Sequence, residues 1–242
     1  GGGVYAFNDS IELTAARICN NQTYTGGGIF TQSTEVIDAL KMTGGEITGN
    51  AAARMGAGIC ASLWYPNDYY DGSGQVIPHL NMDLEISGGK ISGNMSGEGE
   101  NVDENAITLD LVCYSEFDEN VKFPTLHLSG SPEIKGYVML MDYSDPVCSP
   151  RVVVDDAFTP VNPVEMKGGY CEPGVVAVKW KDGLTPDASL FTVDKGFGSE
   201  LKLDGQTLTW VERVRVTFYW IEKQGDKYYQ RNKNLYIVPG NK

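Results

Sequence analysis

Gly44-Gly45-Glu46-Ile47-Thr48-Gly49-Asn50 returns further along the chain as Gly88-Gly89-Lys90-Ile91-Ser92-Gly93-Asn94. The two strings share Gly-Gly, a charged residue, Ile, a hydroxyl, Gly and Asn in the same order. A looser copy precedes them, Ala15-Ala16-Arg17-Ile18-Cys19-Asn20-Asn21, and another follows, Gly130-Ser131-Pro132-Glu133-Ile134-Lys135-Gly136. A second string interleaves with the first: Gly1-Gly2-Gly3-Val4-Tyr5, Gly26-Gly27-Gly28-Ile29-Phe30 and Gly56-Ala57-Gly58-Ile59-Cys60. Both recur with related spacing, so they are parts of one repeating unit, and recurrence at a few tens of residues is the signature of a repeat architecture.

Within each unit the apolar residues alternate with polar ones over short runs, as in Leu40-Lys41-Met42-Thr43 and Leu84-Glu85-Ile86-Ser87. Alternation means β structure with one face buried. Runs this short bury that face only by stacking on copies above and below, at the spacing of about 4.8 Å between hydrogen-bonded strands. The reading therefore places Ile18, Ile47, Ile91 and Ile134 in one internal stack. It places Asn21, Asn50 and Asn94 at equivalent turns as a ladder, since Asn tolerates the left-handed conformation that sharp turns require. Neither the dense leucine spacing of leucine-rich repeats nor the three-to-four-residue apolar spacing of helical repeats is present.

The end of the chain departs from the repeat. Val214, Val216, Phe218 and Trp220 alternate with Arg215, Thr217, Tyr219 and Ile221 before Gln224-Gly225-Asp226, and Asp204-Gly205 separates two further alternating runs. Both are hairpin signals. The expected organisation is an all-β solenoid with its closing segment over residues 1–212, followed over 213–242 by an antiparallel hairpin that caps it or begins a further module. An open solenoid end would expose unpaired strand edges and core.

These Gly-Gly-x-Ile-x-Gly-Asn and Gly-Gly-Gly-Ile units resemble the repeats of adhesin-like cell-surface proteins of gut Firmicutes, bacteria whose surface proteins carry right-handed parallel β-helices of the pectin-lyase-like superfamily. The stretch from Leu190 to Trp210 is similar to the segment that closes such repeats, so the resemblance covers roughly residues 1 to 210. It implies a right-handed parallel β-helix, a location on the bacterial surface or in the medium, and membership of a longer surface protein. It specifies activity far less than fold.

The formal charge is −13. Residues 1–120 hold 4 Lys/Arg against 17 Asp/Glu, and the remainder hold 15 against 15. Such a surface repels phosphate backbones and anionic lipid, so nucleic acid is an unsuitable partner. No apolar run approaches the ~20 residues of a membrane span. The five cysteines, Cys19, Cys60, Cys113, Cys148 and Cys171, lack zinc spacing. A Cys148–Cys171 bridge is left open by their spacing.

Chemistry has few candidates. His127 in Leu126-His127-Leu128 is expected to point away from the core as a surface or ladder residue. Asp155-Asp156 follow Val152-Val153-Val154 on a strand, where adjacent residues face opposite sides and cannot converge on one sugar bond without a bulge. Glu98, Glu100, Asp103 and Glu104 collect in a Gly-rich loop that offers oxygen ligands to calcium, without the ordered spacing of a strong calcium loop. No other cofactor is implied.

The step from 44 to 88 exceeds that from 15 to 44 by fifteen residues, and the excess holds Leu63-Trp64-Tyr65-Pro66-Asn67-Asp68-Tyr69-Tyr70-Asp71-Gly72. Aromatic faces stack on sugar rings while Asn and Asp bind hydroxyls. Trp64, Tyr65, Asp68, Tyr69, Tyr70 and Asp71 are therefore the candidate glycan contacts, with packing on the solenoid wall as the bland alternative. The functional expectation is a non-catalytic, adhesin-like surface module that binds glycans weakly. The alternative, from the same superfamily, is a polysaccharide lyase or glycoside hydrolase or a degenerate relative of one.

Overall fold

Short alternating runs become short strands, four to a repeat unit. The computed structural model describes residues 1–34, 37–65, 82–99, 101–113, 124–141, 151–168, 173–193, 199–212, 214–224 and 227–237. The first unit comprises β1 (Val4–Phe7), β2 (Ile11–Leu13), β3 (Arg17–Cys19) and β4 (Gln22–Thr25). The second comprises β5 (Ile29–Ser33), β6 (Ile37–Met42), β7 (Glu46–Thr48) and β8 (Ala51–Met55), and the third β9 (Ile59–Tyr65), β10 (Met82–Ile86), β11 (Lys90–Ser92) and β12 (Met95–Glu98). The fourth begins with β13 (Asn101–Cys113), β14 (Thr125–Gly130) and β15 (Glu133–Ile134).

Each strand pairs in parallel with its counterpart one unit away. A first sheet runs β1-β5-β9-β13, a second β2-β6-β10-β14, a third β3-β7-β11-β15 and a fourth β4-β8-β12, the last turning back from β12 onto β13 as an antiparallel hairpin. Beyond β15 the unit shortens. β16 (Tyr137–Leu140), β18 (Val164–Gly168) and β20 (Phe191–Val193) extend the first sheet, while β17 (Arg151–Phe158) and β19 (Val176–Trp180) extend the second. The hairpin β21 (Ser199–Asp204) and β22 (Thr207–Glu212), turning at Gly205 with φ +56°, lies antiparallel along β19. The final hairpin, β23 (Val214–Gln224) with β24 (Lys227–Ile237), pairs only with itself among the described residues. The protein is thus all-β, built from sheets of parallel strands with antiparallel hairpins after them.

Inward residues of the first three sheets meet in one apolar cluster that includes Ile29, Ile59 and Ile107, Leu40, Leu84 and Leu126, and Ile47, Ile91 and Ile134. Ile18, Ile47, Ile91 and Ile134 face one another across consecutive strands, the last three fully buried and Ile18 partly so. Where the units shorten, aromatic rings fill the interior. Trp180 meets Phe191 edge-on at 5.7 Å, and Phe158 stacks on Phe191 at 6.0 Å.

Asn50 and Asn94 are completely buried beside the isoleucines. Asn21 Nδ2 donates to Asn50 Oδ1 and Asn50 Nδ2 donates to Asn94 Oδ1, each at 2.9 Å. The same acceptors take the backbone N–H groups of Asn21 and Asn50, each at 3.0 Å. The second amide protons go to Ile18 O and Ile47 O. Buried amides are tolerable because each is hydrogen-bonded in this way.

The left-handed residue is the one before each ladder asparagine, contrary to the reading of the turn from sequence: Asn20 has φ +57°, Gly49 +65° and Gly93 +64°. The asparagine itself serves through its amide, not its backbone tolerance. At the next corner, strands approach so closely that a Cβ on Gly28 would lie 2.6 Å from Gly58 O and 2.7 Å from Ile47 Cγ2, which explains the glycine there.

Replacing Asn50 by Ala strands the Asn21 backbone N–H, the Asn21 side-chain amide and the Ile18 carbonyl, while Asn94 Oδ1 keeps the backbone N–H of residue 50. Each unsatisfied buried group costs about 1–3 kcal/mol, so chemical denaturation is expected to show a loss of about 3 kcal/mol or more. Ile47→Ala, a cavity without stranded polar groups, is expected to cost about 2–5 kcal/mol.

Candidate functional site: the outward faces of the first and second sheets

On the second sheet the inward residues are Leu84 and Ile86, Leu126 and Leu128, Val152 and Val154, all buried. The intervening positions therefore point outward. Register sets His127 directly opposite Glu85 on one side and Val153 on the other, leaving Asp83 and Asp155 as its diagonal neighbours. The imidazole bridges them: Nδ1 lies 2.5 Å from Asp155 Oδ2, and Nε2 lies 3.4 Å from Asp83 Oδ1. The three side chains are partly exposed, between 22% and 34%.

Hydrogen bonding to Asp83, and then to Asp155, raises the pKa of His127 above its ordinary value against the opposing effect of burial. As imidazolium the ring donates through both nitrogens, so neither lone pair is available to a substrate or metal. The trio braces three consecutive strands. The two carboxylates sit at opposite edges of one ring, not together across an open gap. Asp156, the following residue, is exposed next to exposed Ala157, where the register with β14 slips.

The first sheet has a different outward face. Ile59, Ala61, Ile107 and Leu109 point into the core, so Cys60, Ser62, Thr108 and Asp110 point outward, yet all four are buried. Something covers this side of the sheet. Ser62 Oγ donates to Asp110 Oδ2 at 3.3 Å, while Asp110 Oδ1 is buried with no hydrogen-bond partner. Burial raises the Asp110 pKa, outweighing the Ser62 hydrogen bond and the charge of Arg54. Burial likewise pushes the Cys60 thiol far above its ordinary value, leaving it unreactive.

Of the candidates read from the sequence, Trp64 and Tyr65 end β9, with backbones paired to Val112 and Cys113. Asp68, Tyr69, Tyr70 and Asp71 lie outside the described residues, as do Glu100 and Cys148. The acidic cluster falls on the β12–β13 hairpin, where Glu98 is opposite Asn101. Asp103 is bound 3.3 Å from Lys167 Nζ, and Glu104 accepts the Gly93 N–H. These two carboxylates already have partners within the chain. Among the described residues no group of three or more His, Cys, Asp or Glu is arranged to hold a metal.

The Asp83–His127–Asp155 brace is absent from the sequence reading. Half of it was accessible there, because Glu85 and His127 precede Gly88 and Gly130 by the same three residues, which aligns their strands. Asp155 belongs to a unit without the Gly-Gly string, and no such alignment reaches it. No protein-family model, curated protein or solved structure matches the chain.

Two pH responses follow from these shifts. A histidine whose pKa is raised by folding adds stability below its unfolded value, near 6.5, and that increment disappears as pH rises through the folded value. Melting temperatures measured from pH 5 to 9 are expected to fall through this window in the wild type, and His127→Gln should flatten that fall. The carboxyl of Asp110 is also raised, so its ionisation destabilises the folded chain. Asp110→Asn is expected to melt higher than wild type at pH 8, with the difference closing below about pH 4, and a lower melting point at pH 8 would contradict the assignment.

Proposed function

We propose that the chain is a right-handed parallel β-helix serving as a non-catalytic, adhesin-like module on the bacterial surface. The observation that carries this reading is where the repeats lengthen. β1 joins β2, and β5 joins β6, through three residues each, whereas β9 to β10, β13 to β14 and β16 to β17 take sixteen, eleven and ten. All of these connections run from the first sheet to the second. Growth at one corner of a constant scaffold is how repeat proteins build contact surfaces.

The candidate glycan residues Trp64 to Asp71 enter the longest of these connections, beside an acidic half of the chain suited to neutral or cationic partners. The outward carboxylates with nearby bases are engaged in brace-like pairs, as in Arg17–Glu46 at 3.0 Å and Lys90–Glu133 at 3.2 Å. Exposed pairs of this kind contribute at most about 1 kcal/mol each. They suit a solvated scaffold more than a reaction centre.

The test has two arms. The full-length protein is expected on intact cells, accessible to added protease and antibody; an exclusively cytoplasmic protein overturns the reading. The purified chain is expected to release neither reducing ends nor unsaturated products from plant or host polysaccharides. Cleavage abolished by a single acid substitution would replace the module by a lyase or hydrolase.

A further inference from the structure

The outward side of the first sheet passes from open to closed within a few strands. One row of side chains runs Tyr5, Phe30, Cys60, Thr108, and the row beside it runs Phe7, Gln32, Ser62, Asp110. Tyr5 is 54% exposed and Phe7 49%, Phe30 and Gln32 are half-buried, and the remaining four are covered. The open part is therefore a shelf that ends against the cover over Cys60 and Ser62.

Three rings and an amide make up this shelf. The Tyr5 and Phe30 rings are 5.5 Å apart and tilted by 32°, and Phe7 stands directly across from Gln32. Tyr5 donates its hydroxyl proton to Gln32 Oε1 at 3.2 Å, which fixes the amide and leaves its Nε2 donors without a hydrogen-bond partner among the described residues. Asn8, at the end of the shelf, is held by Ser33 and Thr34. No side chain of the shelf carries a charge. The outward rows of the second and third sheets differ sharply, with Lys41 beside Glu85 and Arg17 beside Glu46.

We propose that this shelf binds an uncharged glycan chain, its sugar faces on Tyr5, Phe7 and Phe30 and its hydroxyls on the Gln32 amide. Aromatic rings offer apolar faces that sugar C–H surfaces cover, and a fixed amide orients hydroxyl groups beside them. A purely apolar partner would strand the Gln32 donors, and an anionic one would meet the field of a chain carrying −13. A neutral, hydroxyl-bearing ligand satisfies all three features. This deepens the surface-module reading and rests on it for its biological sense, but the site is separate from the Trp64–Asp71 segment.

Affinity electrophoresis of the purified chain decides the matter, in native gels containing β-glucan, glucomannan, xylan or galactan, with polygalacturonate as the anionic comparison. Phe7→Ala, Phe30→Ala, Gln32→Ala and the double variant Trp64→Ala/Tyr69→Ala are run alongside, each with its melting temperature. Wild type is expected to be retarded by at least one neutral polysaccharide and not by polygalacturonate. Phe7→Ala and Gln32→Ala are expected to weaken binding about tenfold, equivalent to about 1.4 kcal/mol, at unchanged melting temperature, while the double variant retains it.

Absence of retardation in every neutral gel overturns the proposal, as does equal retardation of wild type and shelf variants. Retardation lost only in the double variant assigns binding to the other segment and also overturns it. Self-association abolished by Phe7→Ala would make the shelf a contact between copies instead. None of these results bears on whether the full-length protein reaches the cell surface, so failure of the shelf and failure of the module reading are separable.

Discussion

A strand of three to six residues has too little surface to hold itself, and everything in this protein depends on each one meeting its counterpart a repeat away in parallel register. The register is enforced from inside. Ile47 stacks between Ile18 and Ile91, and three positions beyond each of these isoleucines lies a ladder asparagine, Asn50 exchanging hydrogen bonds with Asn21 and Asn94. A slip of one residue would turn each isoleucine outward and break the amide chain together. Apolar stacking supplies most of the driving force, and the amides make one alignment much better than its neighbours.

That same alignment organises the outside. Because inward residues superpose, outward residues do so too, and chemistry accumulates in rows along the stack. The second sheet gathers charges, so Asp83, His127 and Asp155, remote in sequence, form a brace across three strands. On the first sheet the row from Tyr5 to Thr108 carries no charge, and it passes from exposed rings to covered side chains. The two faces consequently differ in what they present: paired charges on one, aromatic rings and an amide on the other.

The stack changes character where the fourth strand of the unit is lost. Between β15 and β16 the chain returns directly to the first sheet, and thereafter, among the described residues, the first and second sheets alone are extended. The columns of isoleucine and asparagine end there. Phe158, Trp180, Phe191 and Trp210 fill the interior, and the β21–β22 hairpin runs antiparallel against β19. The hairpin covers the edge of β19 and leaves β21 as the last strand of that sheet.

The sequence by itself determined the repeat, the identity of the stacked isoleucines and asparagines, and the hairpins at Asp204-Gly205 and after Gln224. These follow from local pattern: period-two alternation, glycine where a bend or a close approach needs it, and recurrence at matched spacing. The role of the turn asparagine is not legible in sequence, since only hydrogen-bond geometry distinguishes an amide that bonds along the stack from a backbone that tolerates positive φ at Asn20 or Gly49. The repeat strings align Glu85 with His127 and Tyr5 with Phe30, but the bridge to Asp155 and the exposure of the shelf at Tyr5, Phe7, Phe30 and Gln32 were decided by tertiary structure. Their members come from strands twenty-five or more residues apart, and diagonal neighbours, tilted rings and the cover over Ser62 depend on how strands stack and not on any residue's immediate context.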